Sequence, residues 1–252
     1  MDVFHDYAYY YNSFYQDKDY KAEAAQVQQM LVKYGRNVSS LINFGCGTGR
    51  HDIEFHKLGY QCSGIDMSPV MIDMAKKNAE QESMDISFIE ADIQDFCIRK
   101  HFDAVVSLFH VMSYQVKNED IISAFQSARR VLNEHGLFIF DAWYGPGVLS
   151  DKPSVRVKEI EDEQNTLIRI AKPVMHDKEN VVNVCYEVLV INKVTRETKA
   201  IHEVHNMRYF FCPELEYFLR ETGFELIDVL DCKTLGITDY NSWTSYFIAR
   251  AV

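Results

Sequence analysis

Between residues 20 and 34, Ala24, Val27, Leu31 and Tyr34 recur on one stripe of a helix. The period then shortens. Leu41-Ile42-Asn43-Phe44 is an apolar run that stops at glycines, the pattern of a buried strand. A helix is expected over residues 48–57, a strand over 61–65, a helix over 69–81, and strands over 86–90 and 102–109. A helix over 119–132 leads into a strand over 137–140. Ser68 followed by Pro69 supplies an N-cap and a first helical residue that needs no N–H. Strand and helix in regular alternation predict a parallel sheet wrapped by helices on both faces.

From 150 to 210 the pattern is different. Segments 155–159, 167–171, 181–191 and 201–209 alternate apolar and charged residues, and no helical period separates them. They predict an antiparallel β insert after the fifth strand. A helix over 213–222, ended by Gly223, and strands over 224–230 and 245–251 follow. The expected division is an aromatic arm and helix at 1–36, an α/β core at 37–149, the insert at 150–210, and a helix with two last strands at 211–252. The arm crowds Tyr7, Tyr9, Tyr10, Tyr11, Phe14, Tyr15 and Tyr20 together.

Composition narrows the options. With 47% hydrophobic residues in 252, a large core forms without staples. A net charge of −11 repels phosphate backbones, so nucleic acid is not an expected partner. Six cysteines without a C-x-x-C pair read as buried thiols of a reducing compartment. The N-terminus lacks a basic start and an apolar stretch, and no apolar run approaches the ~20 residues that span a bilayer. A cytoplasmic protein with no membrane contact is the expectation.

Gly45-Cys46-Gly47-Thr48-Gly49 lies between the first strand and its helix. Glycines there let the backbone turn tightly against a ligand, next to the free N–H groups of a helix start. The second strand ends at Asp66, where a carboxylate can take both hydroxyls of an adenosine ribose. The third ends in Ala91-Asp92-Ile93. Asp92 is placed to accept from an adenine amino group, with the Ile93 N–H beside it. Cys46, Met67 and Leu108 flank these positions as further cofactor contacts. The spacing is neither the G-x-G-x-x-G of dinucleotide enzymes nor a triphosphate loop. A glycine turn without any adenosine site is the plain alternative.

At these residues the chain resembles the class I S-adenosylmethionine-dependent methyltransferases. Phe102-Asp103-Ala104-Val105 and Leu132-Asn133-Glu134-His135-Gly136-Leu137 extend the resemblance. Tyr11-Asn12-Ser13-Phe14-Tyr15, with Asp19-Tyr20 and Ala22-Glu23, is similar to the branch that N-methylates amino groups of nucleotide-linked sugars. The resemblance implies a Rossmann-like sheet, S-adenosylmethionine as cofactor and S-adenosylhomocysteine as product. It places Tyr11 toward substrate and Tyr15 toward cofactor. It also marks a departure. The family carries an acid two residues before the first glycine, and this chain has Asn43. Its amide oxygen accepts a hydrogen bond, directly or through water, but brings no charge to the methionine ammonium.

Methyl transfer to an amine needs the neutral amine in line with the donor, and a base helps to keep it so. His110, after the fourth strand, is the candidate base; a histidine satisfied by backbone groups is the equal alternative. Tyr114 is a candidate to act beside Tyr11, although an aromatic arm can simply be a lid. Trp143-Tyr144 is either a flat wall for a ring or the turn that launches the insert. Arg156, Arg169 and Arg208 either meet a diphosphate or pair with local acids. His202 and His205, three apart on a strand, face opposite ways, so no metal is expected. His51-Asp52 needs no role beyond the positive end of its helix. By analogy the insert caps the cleft or joins a second subunit in a homodimer. The competing functions are N- or O-methylation of another small metabolite and non-catalytic binding of S-adenosylmethionine. An NAD-dependent oxidoreductase is disfavoured by the short turn.

Overall fold

The computed structural model describes residues 14, 15 and 17–252. In chain order the elements are α1 (Tyr20–Tyr34), β1 (Ser40–Phe44), α2 (Arg50–Lys57), β2 (Gln61–Asp66), α3 (Pro69–Gln81), β3 (Ser87–Glu90) and β4 (Phe102–Ser107). Then come α4 (Asn118–Val131), β5 (Leu132–Tyr144), α5 (Gly145–Ser150), β6 (Arg156–Glu161), β7 (Asn165–His176), β8 (Val181–Asn192), β9 (Thr198–Phe210), α6 (Cys212–Glu221), β10 (Phe224–Asp231) and β11 (Thr244–Ala251). A 3₁₀ turn at Val111–Tyr114 follows β4. The core sheet runs β3-β2-β1-β4-β5-β11-β10. Its first five members are parallel, and β11 is antiparallel to β5.

Alternation along the strands sorts the core onto two faces, because successive side chains point to opposite sides. Ile42, Phe44, Val105, Phe138, Phe140 and Phe247 pack with Ile121, Phe125 and Ala128 of α4 and Leu215 and Leu219 of α6. Leu41, Ala104, Val106, Leu137 and Ile139 turn the other way, onto Val27 and Leu31 of α1, Phe55 of α2 and Ile72 and Ala75 of α3. Each fully buried large side chain stabilises by about 1.5–3 kcal/mol. Asp19 accepts from the Ala22 N–H at the start of α1, and Ser68 caps α3 with Pro69 behind it.

β4 stops two residues short of the expected end. Phe109 and His110 both adopt positive φ, 67° and 66°, which no strand accommodates. Alongside β5, β4 pairs only as far as Phe140. Beyond it β9 takes the vacated flank, pairing Tyr209 with Trp143 and Phe210 with Tyr144 in parallel. The antiparallel ladder β6-β7-β8-β9 is thereby fixed to the end of β5 where the parallel strands terminate. No helix among the described residues is long and apolar enough to cross a membrane.

At the other end of the sheet, one carboxylate ties β1 to β4. Asp103 accepts from the N–H and hydroxyl groups of both Ser39 and Ser40 at 2.9–3.0 Å. Partial burial opposes ionisation, but these donors and Asn133 outweigh it and hold the carboxyl at about 2. A depressed carboxyl stabilises the fold above its unfolded pKa and loses that contribution as pH falls through the folded value. Removing such charge-assisted bonds costs about 2 kcal/mol, or roughly 4–8 °C for a chain this size. Asp103→Asn is therefore expected to melt that far below wild type at pH 7, the gap closing between about pH 4 and pH 2 in thermal denaturation.

Candidate functional site

The glycine turn joins β1 to α2 at the sheet edge where the parallel strands end. Gly45, Gly47 and Gly49 have φ of 75°, 54° and 73°, the left-handed region that glycine enters freely. The N–H groups of Gly45 and Cys46 both donate to the Ile65 carbonyl at 2.8 Å, pinning the turn to β2. Two glycines are also required by contact. A Cβ at Gly49 would lie 2.7 Å from the Phe88 ring, and one at Gly45 would lie 2.5 Å from Val111. Gly47 differs: a Cβ there meets nothing within 4 Å, so this side of the turn is open.

Asp66 stands against that opening. It accepts from Gly47 N–H and Ser68 N–H, each at 2.9 Å, one on each carboxylate oxygen. Burial pushes its carboxyl up, and the two backbone donors counter this only in part. Each oxygen keeps a lone pair, so two hydroxyls can be accepted as well. Next along the edge, Ala91 N–H donates to the Asp66 carbonyl. Asp92 is exposed and Ile93 buried, with Asp92 accepting from Gln94 N–H at 2.9 Å. Met67 is 68% exposed and Leu108 is buried in the core. Gly47, Asp66, Met67 and Asp92 thus share one accessible edge, whereas Cys46, Ile93 and Leu108 reach it from within the packing. An open backbone next to a half-used carboxylate suits the diol of an adenosine.

Asn43 lies beneath the turn, 1% exposed. Its Nδ2 donates to Asp52 Oδ2 at 2.8 Å. His51 and Asp52 open α2 as expected, with Asp52 in its first turn, and both side chains are in addition buried and partnered. Asp52 packs under the turn. His51 Nε2 lies 2.6 Å from Glu23 Oε2 of α1. Glu23 also pairs with Lys18 at 3.0 Å. Burial alone would raise the Glu23 carboxyl; the His51 and Lys18 contacts prevail and hold it low. Lys18 Nζ in turn sits 3.4 Å over the Phe109 ring, with its own pKa lowered by burial.

Beside this network a cleft of about 220 Å³ is lined by Lys18, Glu23, Phe109, His110, Asp141 and Tyr246, among others. His110 is gripped twice by Asp141 of β5. Its backbone N–H donates to Oδ1 at 2.9 Å, and its ring Nδ1 lies 2.7 Å from Oδ2. Burial would raise the Asp141 carboxyl, but the His110 contacts outweigh burial and hold it below the usual range. These contacts help to hold His110 at its positive φ. His110 is thus partnered by a carboxylate as well as by backbone.

The insert contributes a second cluster. Tyr114 hydroxyl and His205 Nδ1 are 2.8 Å apart, and His205 Nε2 is 3.2 Å from Glu203. Tyr186 meets His205 edge-on, and Arg169 stacks over Tyr15 and Tyr186 while donating to the Tyr15 hydroxyl at 3.1 Å. Tyr15 also packs edge-on to Phe109, so it bridges the insert to the end of β4. Tyr11 lies outside the described residues. Arg208 is structural: buried, it binds Asn118 and Glu214, each at 2.8 Å. Arg156 is exposed on β6. Trp143 is buried against Trp243 and Met207, so it serves the turn rather than an open wall. His202 is exposed and His205 buried on opposite faces of β9. Among the described residues no group of three His, Cys, Asp or Glu gathers as for a metal.

Asp141 and Glu23 were not singled out as site residues in the sequence: their partners His110 and His51 lie 31 and 28 residues away, and no local period marks them.

Residues 42–136, which hold the glycine turn, Asp66 and Asp92, match the family model described as a methyltransferase domain. The chain is 27% identical over 199 residues to the dTDP-3-amino-3,4,6-trideoxy-alpha-D-glucopyranose N,N-dimethyltransferase of Streptomyces venezuelae, covering 78% of this chain and 82% of that one. In fold it is similar to an S-adenosylmethionine-dependent methyltransferase from Clostridium acetobutylicum, with TM-score 0.82, 18% identity and 96% of both chains covered. It is similar also to Streptomyces venezuelae DesVI, with TM-score 0.81, 23% identity and both chains fully covered. The chain is therefore a methyltransferase, carrying its methyltransferase domain at residues 42–136 on the fold of the S-adenosylmethionine-dependent enzymes.

Proposed function

We propose that this enzyme transfers a methyl group from S-adenosylmethionine to the amino group of a small molecule, a nucleotide-linked sugar. The observation that carries the cofactor half is the open face of Gly47 beside the Asp66 carboxylate. Asp66 would take the ribose hydroxyls, Asp92 and the Ile93 N–H would take the adenine edge, and Met67 would flank the base. Leu108, Cys46 and Tyr15 would bound the site, with Asn43 under the turn on the side of the methionine half. The sulfonium supplies an activated methyl group; the protein supplies position and dryness.

His110 opens into the cleft with its ring and backbone fixed by Asp141. In the proposed reaction the amine nitrogen forms its bond to the methyl carbon as the sulfur–carbon bond breaks. The proton that the new ammonium sheds goes to the free ring nitrogen of His110. Tyr114 and Tyr11 orient the acceptor. The similarity to an amino-sugar N,N-dimethyltransferase over most of both chains supports a nucleotide-linked amine as substrate. Arg169, stacked among tyrosines on the insert, supports a planar or anionic group on the acceptor's other end.

Calorimetric titration tests the cofactor half. Gly47→Ala adds only backbone strain, about 1 kcal/mol, so its melting point should stay within a few degrees of wild type while S-adenosylmethionine affinity falls at least tenfold. Asp66→Ala should lose measurable binding. Full affinity in either variant would remove this site. For the base, His110→Asn keeps a side chain that tolerates positive φ. Its kcat/KM for an amino-sugar nucleotide should drop about 10²-fold, while S-adenosylmethionine affinity stays at the wild-type value. Unchanged turnover would leave His110 a structural residue.

A further inference from the structure

Asn43 and Asp52 satisfy each other by half. One hydrogen bond joins them, Asn43 Nδ2 to Asp52 Oδ2 at 2.8 Å. The remaining oxygens, Asn43 Oδ1 and Asp52 Oδ1, are both sealed from solvent and have no hydrogen-bond partner among the described residues. An amide oxygen and an ionised carboxylate oxygen only accept. Two unpaired acceptors on groups already joined at their other ends are costly to bury, and a single proton removes both faults. With Asp52 protonated at Oδ1, that oxygen becomes a donor, for which Asn43 Oδ1 is the orphaned acceptor on the group it already binds.

We propose that Asp52 holds this proton when the cofactor site is empty, and that binding of the cationic cofactor expels it, so that Asp52 supplies from one hydrogen bond away the negative charge that Asn43 lacks. The inference rests on the cofactor site proposed above. Asn43 stands level with Gly64 of β2 and Val106 of β4, two residues before the glycine turn that would hold the cofactor. The surroundings favour a neutral acid. Asp52 is fully buried, and burial pushes its carboxyl up to about 8, the Asn43 bond offsetting this only in part. The titratable groups facing it are Cys46 of the turn and Cys62 of β2, both driven upward by burial and so uncharged. Beyond Cys46 lies Asp66. His51, adjacent on α2, is engaged by Glu23 of α1.

The consequence is a preference between donor and product. S-adenosylmethionine bears a sulfonium and an ammonium against one carboxylate and is a net cation. S-adenosylhomocysteine has lost the sulfonium charge. The donor therefore draws the proton off Asp52 more strongly. Below about pH 8 the empty pair is protonated, and the bound pair ionises at lower pH, so donor affinity rises with pH through that window and levels above it.

Calorimetry at pH 7 in two buffers of different ionisation enthalpy reads the proton directly. Wild type should release close to one proton on binding S-adenosylmethionine and fewer on binding S-adenosylhomocysteine. Donor affinity should rise about tenfold between pH 6.5 and 8.5, widening the donor-to-product ratio. Asp52→Asn keeps the paired geometry without an ionisable acid, and should lose both the release and the extra slope. The cofactor's own amine titrates equally in both proteins, so their difference isolates Asp52. Equal proton release in the two would overturn the proposal. Infrared difference spectroscopy of wild type against Asp52→Asn gives a reading independent of binding. A protonated-carboxyl band at pH 7 in the cofactor-free wild type, missing from the variant, is expected; its absence from wild type sinks the idea. Failure of either cofactor to bind would instead remove the cofactor site itself, while the infrared band still decides the proton.

Discussion

The close approach of one backbone turn to the strand beside it governs the rest of this molecule. The segment between β1 and α2 lies against β2 and β3 with no room for side chains at its contact points: Gly49 meets Phe88, Gly45 meets Val111, and Gly64 leaves space for Cys46, where a Cβ would come within 2.8 Å. Because the turn is seated this deeply, Gly47 N–H reaches Asp66 and α2 begins directly over β1. That start brings Asp52 under Asn43 and His51 against α1. Carboxylate, helix start and buried acid are therefore set by one steric fit.

Burial then decides the chemistry of the charged groups gathered there. The chain carries a net charge of −11, yet the buried acids at this sheet edge have basic side chains against them. Lys18 joins Glu23, Glu23 joins His51, and His110 joins Asp141. Burial lowers the pKa of the His51 ring and so favours its neutral form. Burial would raise Asp141, but its His110 contacts hold it low, whereas burial pushes Asp52 up, its Asn43 bond and a backbone N–H offsetting this only in part. Two buried carboxyls are thus shifted in opposite directions because their partners differ.

Much of the architecture was legible from periodicity. α1 and α3 have the boundaries expected from their apolar stripe and from Ser68-Pro69, and the insert's strands lie around the expected segments. The glycine turn, Asp66 and Asp92 were legible as one edge of the sheet because each sits at a strand end that local pattern defines. What escaped is long-range. Tyr114 and His205 are 91 residues apart, and Arg169 and Tyr15 are 154 apart. No pattern along the chain announces such pairs. The early end of β4 escaped for a different reason: Phe109 reads as a strand residue, yet it and His110 are left-handed, His110 with Asp141 bonded to its backbone N–H.

This difference in legibility follows the division of the site. The residues proposed to hold the adenosine, 45–92, form a continuous stretch whose geometry is set by neighbours in the sheet. Those proposed to face the acceptor come from the end of β4, from β5, from the residues before α1, and from an insert that pairs with β5 through two residue pairs. Beyond those pairs the insert is held by side chains, Arg208 to Asn118 and Glu214 and His205 to Tyr114, while Tyr186 packs against the cluster that holds Trp143 of β5, so its inward face is built into the core. The match to the methyltransferase domain, residues 42–136, ends before the insert begins.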